Sequence, residues 1–100
     1  MSVDPRSVTE LLDLLKDQRE TGRQMAEDVP KMLADPAITT EQVTTLFKAL
    51  EEQAGFAEKL SRVLEAKGYD PDTVKAAERL EELYVDLAAT VAEKVKALRA

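Results

Sequence analysis

Four prolines and three glycines punctuate this chain, and the stretches between them are long enough for three helices and short of room for much else. Pro5, Pro30, Pro36 and Pro71, with Gly22, Gly55 and Gly68, are its strong breakers. Asp4 before Pro5 pairs an N-cap residue with the residue best suited to the first helical position. Ser7-Val8-Thr9-Glu10 offers a capping box slightly further in, so the start is set to within a few residues. Asp35-Pro36-Ala37-Ile38 reads as a connection. Thr39-Thr40-Glu41-Gln42 carries a second capping box, with Thr39 or Thr40 as the cap. The helix it opens stops at Gly68, which tolerates the left-handed backbone of a C-terminal cap. Asp70-Pro71 repeats the opening signal and starts a third helix.

The expected fold class is all-α: an antiparallel up-down-up three-helix bundle with long helices over about 5–33, 40–67 and 71–98. The 100 residues suffice for one domain, residues 1–100. Pro30 lacks an N–H and its ring clashes one turn back. Helix 1 is therefore expected to be kinked or broken near Pro30, with a short separate helix over 30–35 as the alternative.

Helical spacing gives each segment an apolar stripe. Helix 1 aligns Val8, Leu11, Leu15, Met25, Val29, Met32 and Leu33. Residues 16 to 24 contain no large apolar side chain, and Gln18 and Gly22 fall in the centre of the same stripe. Helix 2 has Val43, Leu46, Phe47, Leu50, Ala54, Ala57, Leu60 and Leu64 as its seam. Its apolar arc covers more than half the circumference, so it should touch both other helices or keep an exposed flank. Helix 3 contributes Ala77, Leu80, Leu83, Tyr84, Leu87, Val91, Val95 and Leu98. Short connections level residue 19 with residue 54, and residue 54 with residue 84. Gln18, Gly22, Ala54, Gly55 and Tyr84 should then share one central layer. The small residues would leave room for the Tyr84 ring, and Gln18 would be its hydrogen-bond partner.

Composition narrows function chiefly by exclusion. The absence of His and Cys removes zinc fingers, catalytic thiols, Ser-His triads and haem ligation. Twenty acidic against fourteen basic residues give a net charge of −6, the wrong sign for nucleic acid. No apolar run approaches the ~18–20 residues of a membrane span, and no leader pattern is seen. These features set the expectation of a soluble, cytoplasmic protein.

The carboxylates lie at helical spacing among Lys and Arg, as on a solvated face. Glu51-Glu52, Glu78 with Glu81-Glu82, and Asp13 with Asp17 and Glu20 are the main clusters. Paired acid-base catalysis needs two carboxylates in unlike environments across a cleft. Asp70-Pro71-Asp72 lacks the alternating ligands, central Gly and closing Glu of a calcium loop. No glycine-rich phosphate loop is present. Lys94, Lys96 and Arg99 suit the C-terminal end of a helix dipole. The expectation is no enzyme, no cofactor, no metal and no small-molecule substrate.

The apolar fringes are the candidate contact surface. Phe56 and Val63 lie on one flank of helix 2, beside Leu60. Leu14, Met25 and Met32 share an edge of helix 1, where methionine suits adaptable contacts. These six are the candidate partner-binding residues. A weaker line of Val74, Val85, Ala88 and Ala92 on helix 3 would admit a second copy, as in a homodimer. The expected function is a non-enzymatic protein-interaction module, adaptor or chaperone-like, binding a partner helix or itself. The alternatives are a self-assembling structural subunit, or an acidic inhibitor that mimics nucleic acid in a basic groove.

Overall fold

Thr39 and Asp70 fix where two of the helices begin. The Thr39 hydroxyl accepts the Gln42 backbone N–H at 3.1 Å, and the Gln42 Oε1 accepts the Thr39 N–H at 3.0 Å. This closed capping box satisfies two of the donors that a helix start leaves unpaired. The Asp70 carboxylate accepts the Thr73 N–H at 2.8 Å and the Thr73 hydroxyl at 3.0 Å, with Pro71 at the first helical position. The computed structural model describes residues 5–100, with side chains from residue 10 onward. It contains α1 (Pro5–Ala34), α2 (Thr40–Ala66) and α3 (Pro71–Arg99), and no strand among the described residues. The caps read at Asp4 and at Ser7-Val8-Thr9, and the place of Val8 on its stripe, lie outside the described side chains.

Both connections are tight turns with their backbone groups paired. After α1, Ile38 N–H donates to the Asp35 carbonyl at 3.2 Å, with Pro36 inside the turn, and Ala37 N–H donates to the Asp35 carboxylate at 2.9 Å. After α2, Gly68 adopts φ 77°. Its N–H donates to the Glu65 carbonyl at 3.1 Å, and Tyr69 N–H reaches back to the Leu64 carbonyl at 3.0 Å. That pair of bonds is a Schellman motif, and Gly supplies its left-handed residue without strain.

α1 does not break at Pro30. One helix spans Pro5–Ala34 with Pro30 inside it, and no separate helix forms over 30–35. The reason lies in where the ring points. Pro30 is exposed, while Val29 is fully buried and Leu33 packs on the core. The missing N–H faces solvent, and burial on either side holds the helix through the defect.

The core is built unequally. α2 and α3 lie close together along their length, while α1 packs less closely, nearer to α3 than to α2. Small buried residues explain the close pair: Ala54, Ala57 and Ser61 on α2, Ala77 and Ala88 on α3. The Ser61 hydroxyl costs little there, because it donates to the Glu58 carbonyl at 2.7 Å. By contrast, α1 buries only Leu15, Gly22 and Val29 among its described side chains, one every seven residues. The molecule measures 55 × 20 × 18 Å, with a radius of gyration of 16.0 Å. A compact chain of this length would give about 13 Å. The bundle is slender, and its grooves are shallow and run along the helices.

The central layer forms in part. Tyr84 is fully buried, and its hydroxyl donates to the backbone carbonyl of Gln18, not to the Gln18 side chain. Gly22 faces Leu80 and Leu83 as well as the tip of Tyr84. Gly55 does not take part: a Cβ placed there would meet nothing within 4 Å. Gly55 lies about 100° around α2 from buried Ala54 and so turns away from the layer. α1 also differs in height from expectation, lying nearer the start of α3. Its residues from Leu12 to Arg19 stand beside Asp72, Thr73 and Ala76, and those from Arg19 to Ala26 beside Ala76 to Leu83. The offset from the register implied by loop lengths is about two helical turns.

Candidate functional site

Every seventh residue along the outer flank of α2 presents a side chain to one line: Gln42, Ala49, Phe56 and Val63. All four are exposed, Phe56 at 38% and Val63 at 39%. The first two members of this line, Gln42 and Ala49, border α1 near the first turn. There the space between α1 and α2 is a groove of about 580 Å³. Met32 lines one bank, Ile38 the end, and Leu46 and Ala49 the other bank, with Asp35 and Glu41 at the rim. The Asp35 carboxylate is held there by the Ala37 N–H, and Glu41 stands in the first turn of α2. Asp28 adds a third negative charge one turn before Met32, and its carboxylate accepts from the Gln24 amide at 3.0 and 3.1 Å. The groove thus has an apolar floor and an acidic rim.

The six residues singled out from sequence divide. Met32 is 44% exposed and lines the groove; Phe56 and Val63 continue its line along α2. Leu60 is only 4% exposed and belongs to the core. It cannot be part of a free surface, because α2 turns it toward the other helices. Leu14 and Met25 are half-buried and pack against the core from α1. The homodimer line on α3 also divides: Val74 and Ala88 are buried, Ala92 is half-buried, and Val85 alone is half exposed. Sequence reasoning missed Asp35, Ile38, Glu41, Thr45 and Ala49. The seven-residue spacing of Ala49, Phe56 and Val63 was the available signal for the last of these.

Among the described residues, two enclosed atoms are unpaired. Gln18 Oε1 and Gln53 Oε1 are buried without a hydrogen-bond donor. Gln53 stands one turn after Ala49 on α2, and Gln18 one turn before Gly22 on α1.

Little in the ionisable groups suggests chemistry. The ion pairs Arg23–Glu20, Arg62–Glu58 and Lys96–Glu93 are exposed, each within one helical turn. Hydrogen bonds from Thr73 hold the Asp70 carboxyl below its ordinary value, and burial pushes the Tyr84 phenol up. Both shifts have structural causes. Among the described residues no group of acidic side chains is arranged to hold a metal ion. Among the same residues, no helix is long and apolar enough to cross a membrane.

No family model matches the chain. Neither a curated protein nor a solved structure matches it.

Proposed function

We propose that this protein is a non-enzymatic helix-binding module, adaptor or chaperone-like in character, working in a soluble cytoplasmic setting. The observation that carries the reading is the separation of α1 from α2. It leaves Met32, Ile38, Leu46 and Ala49 around an open groove whose rim bears Asp35 and Glu41. The fitting occupant is an amphipathic helix from another protein. Its apolar face would lie on the floor and along Phe56 and Val63, and Lys or Arg on its flanks would meet the rim. Burying this flank adds apolar contact where the three-helix core offers none.

The test is a pair of four-turn amphipathic peptides of leucine with lysine, or leucine with glutamate, titrated into the protein by calorimetry. The lysine peptide is expected to bind saturably and to shift the amide resonances of Met32, Ile38 and Ala49. Ala49→Arg, at an exposed position, should abolish that binding with helicity unchanged, and Phe56→Ser should weaken it. Binding that survives Ala49→Arg would overturn the reading. A concentration-dependent dimer that buries Phe56 would favour self-assembly instead.

A further inference from the structure

On the opposite side of α1 the electrostatics reverse. Arg19 and Arg23, four residues apart on α1, face Arg79 on α3 across a groove of about 350 Å³. Its floor is apolar, made by Ala26, Ala76, Leu80 and Leu83. Lys16 lies one turn before Arg19 and lines the adjoining surface with it. Four of the chain's fourteen basic residues thus gather on one narrow face of a protein with net charge −6. Of these four, only Arg23 has a carboxylate partner among the described residues, Glu20 at 2.6 Å. Arg19 and Arg79 stand on opposite banks with their guanidinium groups unpaired.

We propose that this groove is a second docking surface, and that it takes an acidic amphipathic helix of a partner protein. Charge complementarity selects the occupant. Guanidinium forks on both banks suit carboxylates spaced a turn apart, each able to accept two parallel N–H bonds. The apolar floor between them asks for leucine or alanine on the same helix face. Nucleic acid fits less well, because the basic face is short and the acidic remainder of the chain repels a polyphosphate. The two sides of α1 then read opposite charges: the Met32 groove receives basic flanks, and the arginine groove acidic ones. A partner presenting two helices of opposite charge would straddle α1, the helix with the fewest buried residues among those described.

The experiment titrates the four-turn leucine–glutamate peptide into the full chain, with Arg19→Glu, Arg79→Glu and Ala49→Arg variants beside the wild type. The wild type is expected to bind it saturably, with amide shifts at Ala26, Ala76, Leu80 and Leu83, and more weakly as ionic strength rises. Arg19→Glu and Arg79→Glu should each weaken binding by about tenfold or more. Both residues are exposed, and circular dichroism checks that the fold persists. Ala49→Arg should leave this peptide's affinity unchanged, which separates the surface from the Met32 groove. Absence of saturable binding, or equal affinity in Arg79→Glu, would overturn the proposal. So would inorganic pyrophosphate displacing the peptide at equal concentration, since the groove would then read anionic charge alone.

Discussion

The Tyr84 hydroxyl reaches across from α3 to the backbone carbonyl of Gln18 on α1, an O···O distance of 3.4 Å. That is longer than the ~2.5–3.0 Å of a strong hydroxyl bond. The ring, fully buried, therefore contributes far more than the hydroxyl. Tyr84→Ala should destabilise by about 3–5 kcal/mol. Tyr84→Phe should cost about 1 kcal/mol or less. Urea unfolding measures both; equal losses would mean that the hydroxyl, not the ring, holds the layer. Burial also raises the phenol pKa in the folded state. The unfolded chain gives up this proton first, near pH ~10. Tyr84 therefore contributes a stability that is complete below that pH and is lost as pH climbs toward the folded value. Wild type and Tyr84→Phe should converge in stability as the buffer becomes alkaline.

Gly22 and Gly55 should respond to alanine with opposite signs. A Cβ at Gly22 would lie 2.7 Å from Leu80 Cδ1 and 3.1 Å from Leu83 Cδ2. Both atoms end leucine side chains, and at 2.7 Å the buried Leu80 has to move. Overpacking of about 1–3 kcal/mol outweighs the ~1 kcal/mol that alanine gains in a helix. Gly22→Ala should therefore destabilise and speed amide exchange in α1 before α2 or α3. Gly55 has a negative φ and open space at its Cβ position. Gly55→Ala should stabilise by about 1 kcal/mol. Like signs in the two melting curves would contradict the packing at Gly22.

Those two glycines also show where sequence reasoning stops. Helix ends were readable because caps are local chemistry: Thr39 with Gln42, Asp70 with Pro71, and Gly68 each act within a few residues. The three-helix fold followed from such signals and from the stripes. Relative height of the helices is different, since it is set by side chains meeting across the bundle. Loop lengths levelled Gly22 and Gly55 alike with Tyr84. Gly22 is enclosed by Leu80 and Leu83, whereas Gly55, about 100° around α2 from buried Ala54, faces open space. The candidate surface suffered likewise. Phe56, Val63 and Met32 were legible as apolar residues on a fringe. The separation of α1 from α2 was not, and it is that separation that makes the groove. Leu60 was misplaced because a wheel marks a flank's edge only to within one side chain.

Gln18 and Gln53 each bury an amide oxygen with no donor. An enclosed unsatisfied acceptor costs about 1–3 kcal/mol. Methionine keeps the length and shape of glutamine without the polar head. Gln18→Met and Gln53→Met should each stabilise by about 1 kcal/mol, nearly additively, since the residues lie on different helices. Urea midpoints of the two single variants and the double variant measure this. A loss of stability in either would place a partner on that oxygen.

Asp70 makes the start of α3 sensitive to acid. Its carboxylate is held ionised below its ordinary range, chiefly by the Thr73 backbone N–H and then by the Thr73 hydroxyl. The folded-state pKa is the lower one. The contribution is therefore present above the unfolded value, near pH ~4, and is lost as pH falls through the folded value. Asp70→Asn keeps an oxygen to accept the N–H and removes the titration. Its thermal midpoint should lie below that of the wild type at neutral pH, with the gap closing as the pH drops under ~4. Asp70→Ala, which removes the acceptor as well, should fray the first turn of α3 at every pH, visible as faster amide exchange at Thr73 and Val74. The Thr39 cap of α2 carries no charge and serves as the internal control. A wild-type–Asn gap that stays constant into acid would show that the carboxylate's charge does nothing for the cap beyond its hydrogen bonds.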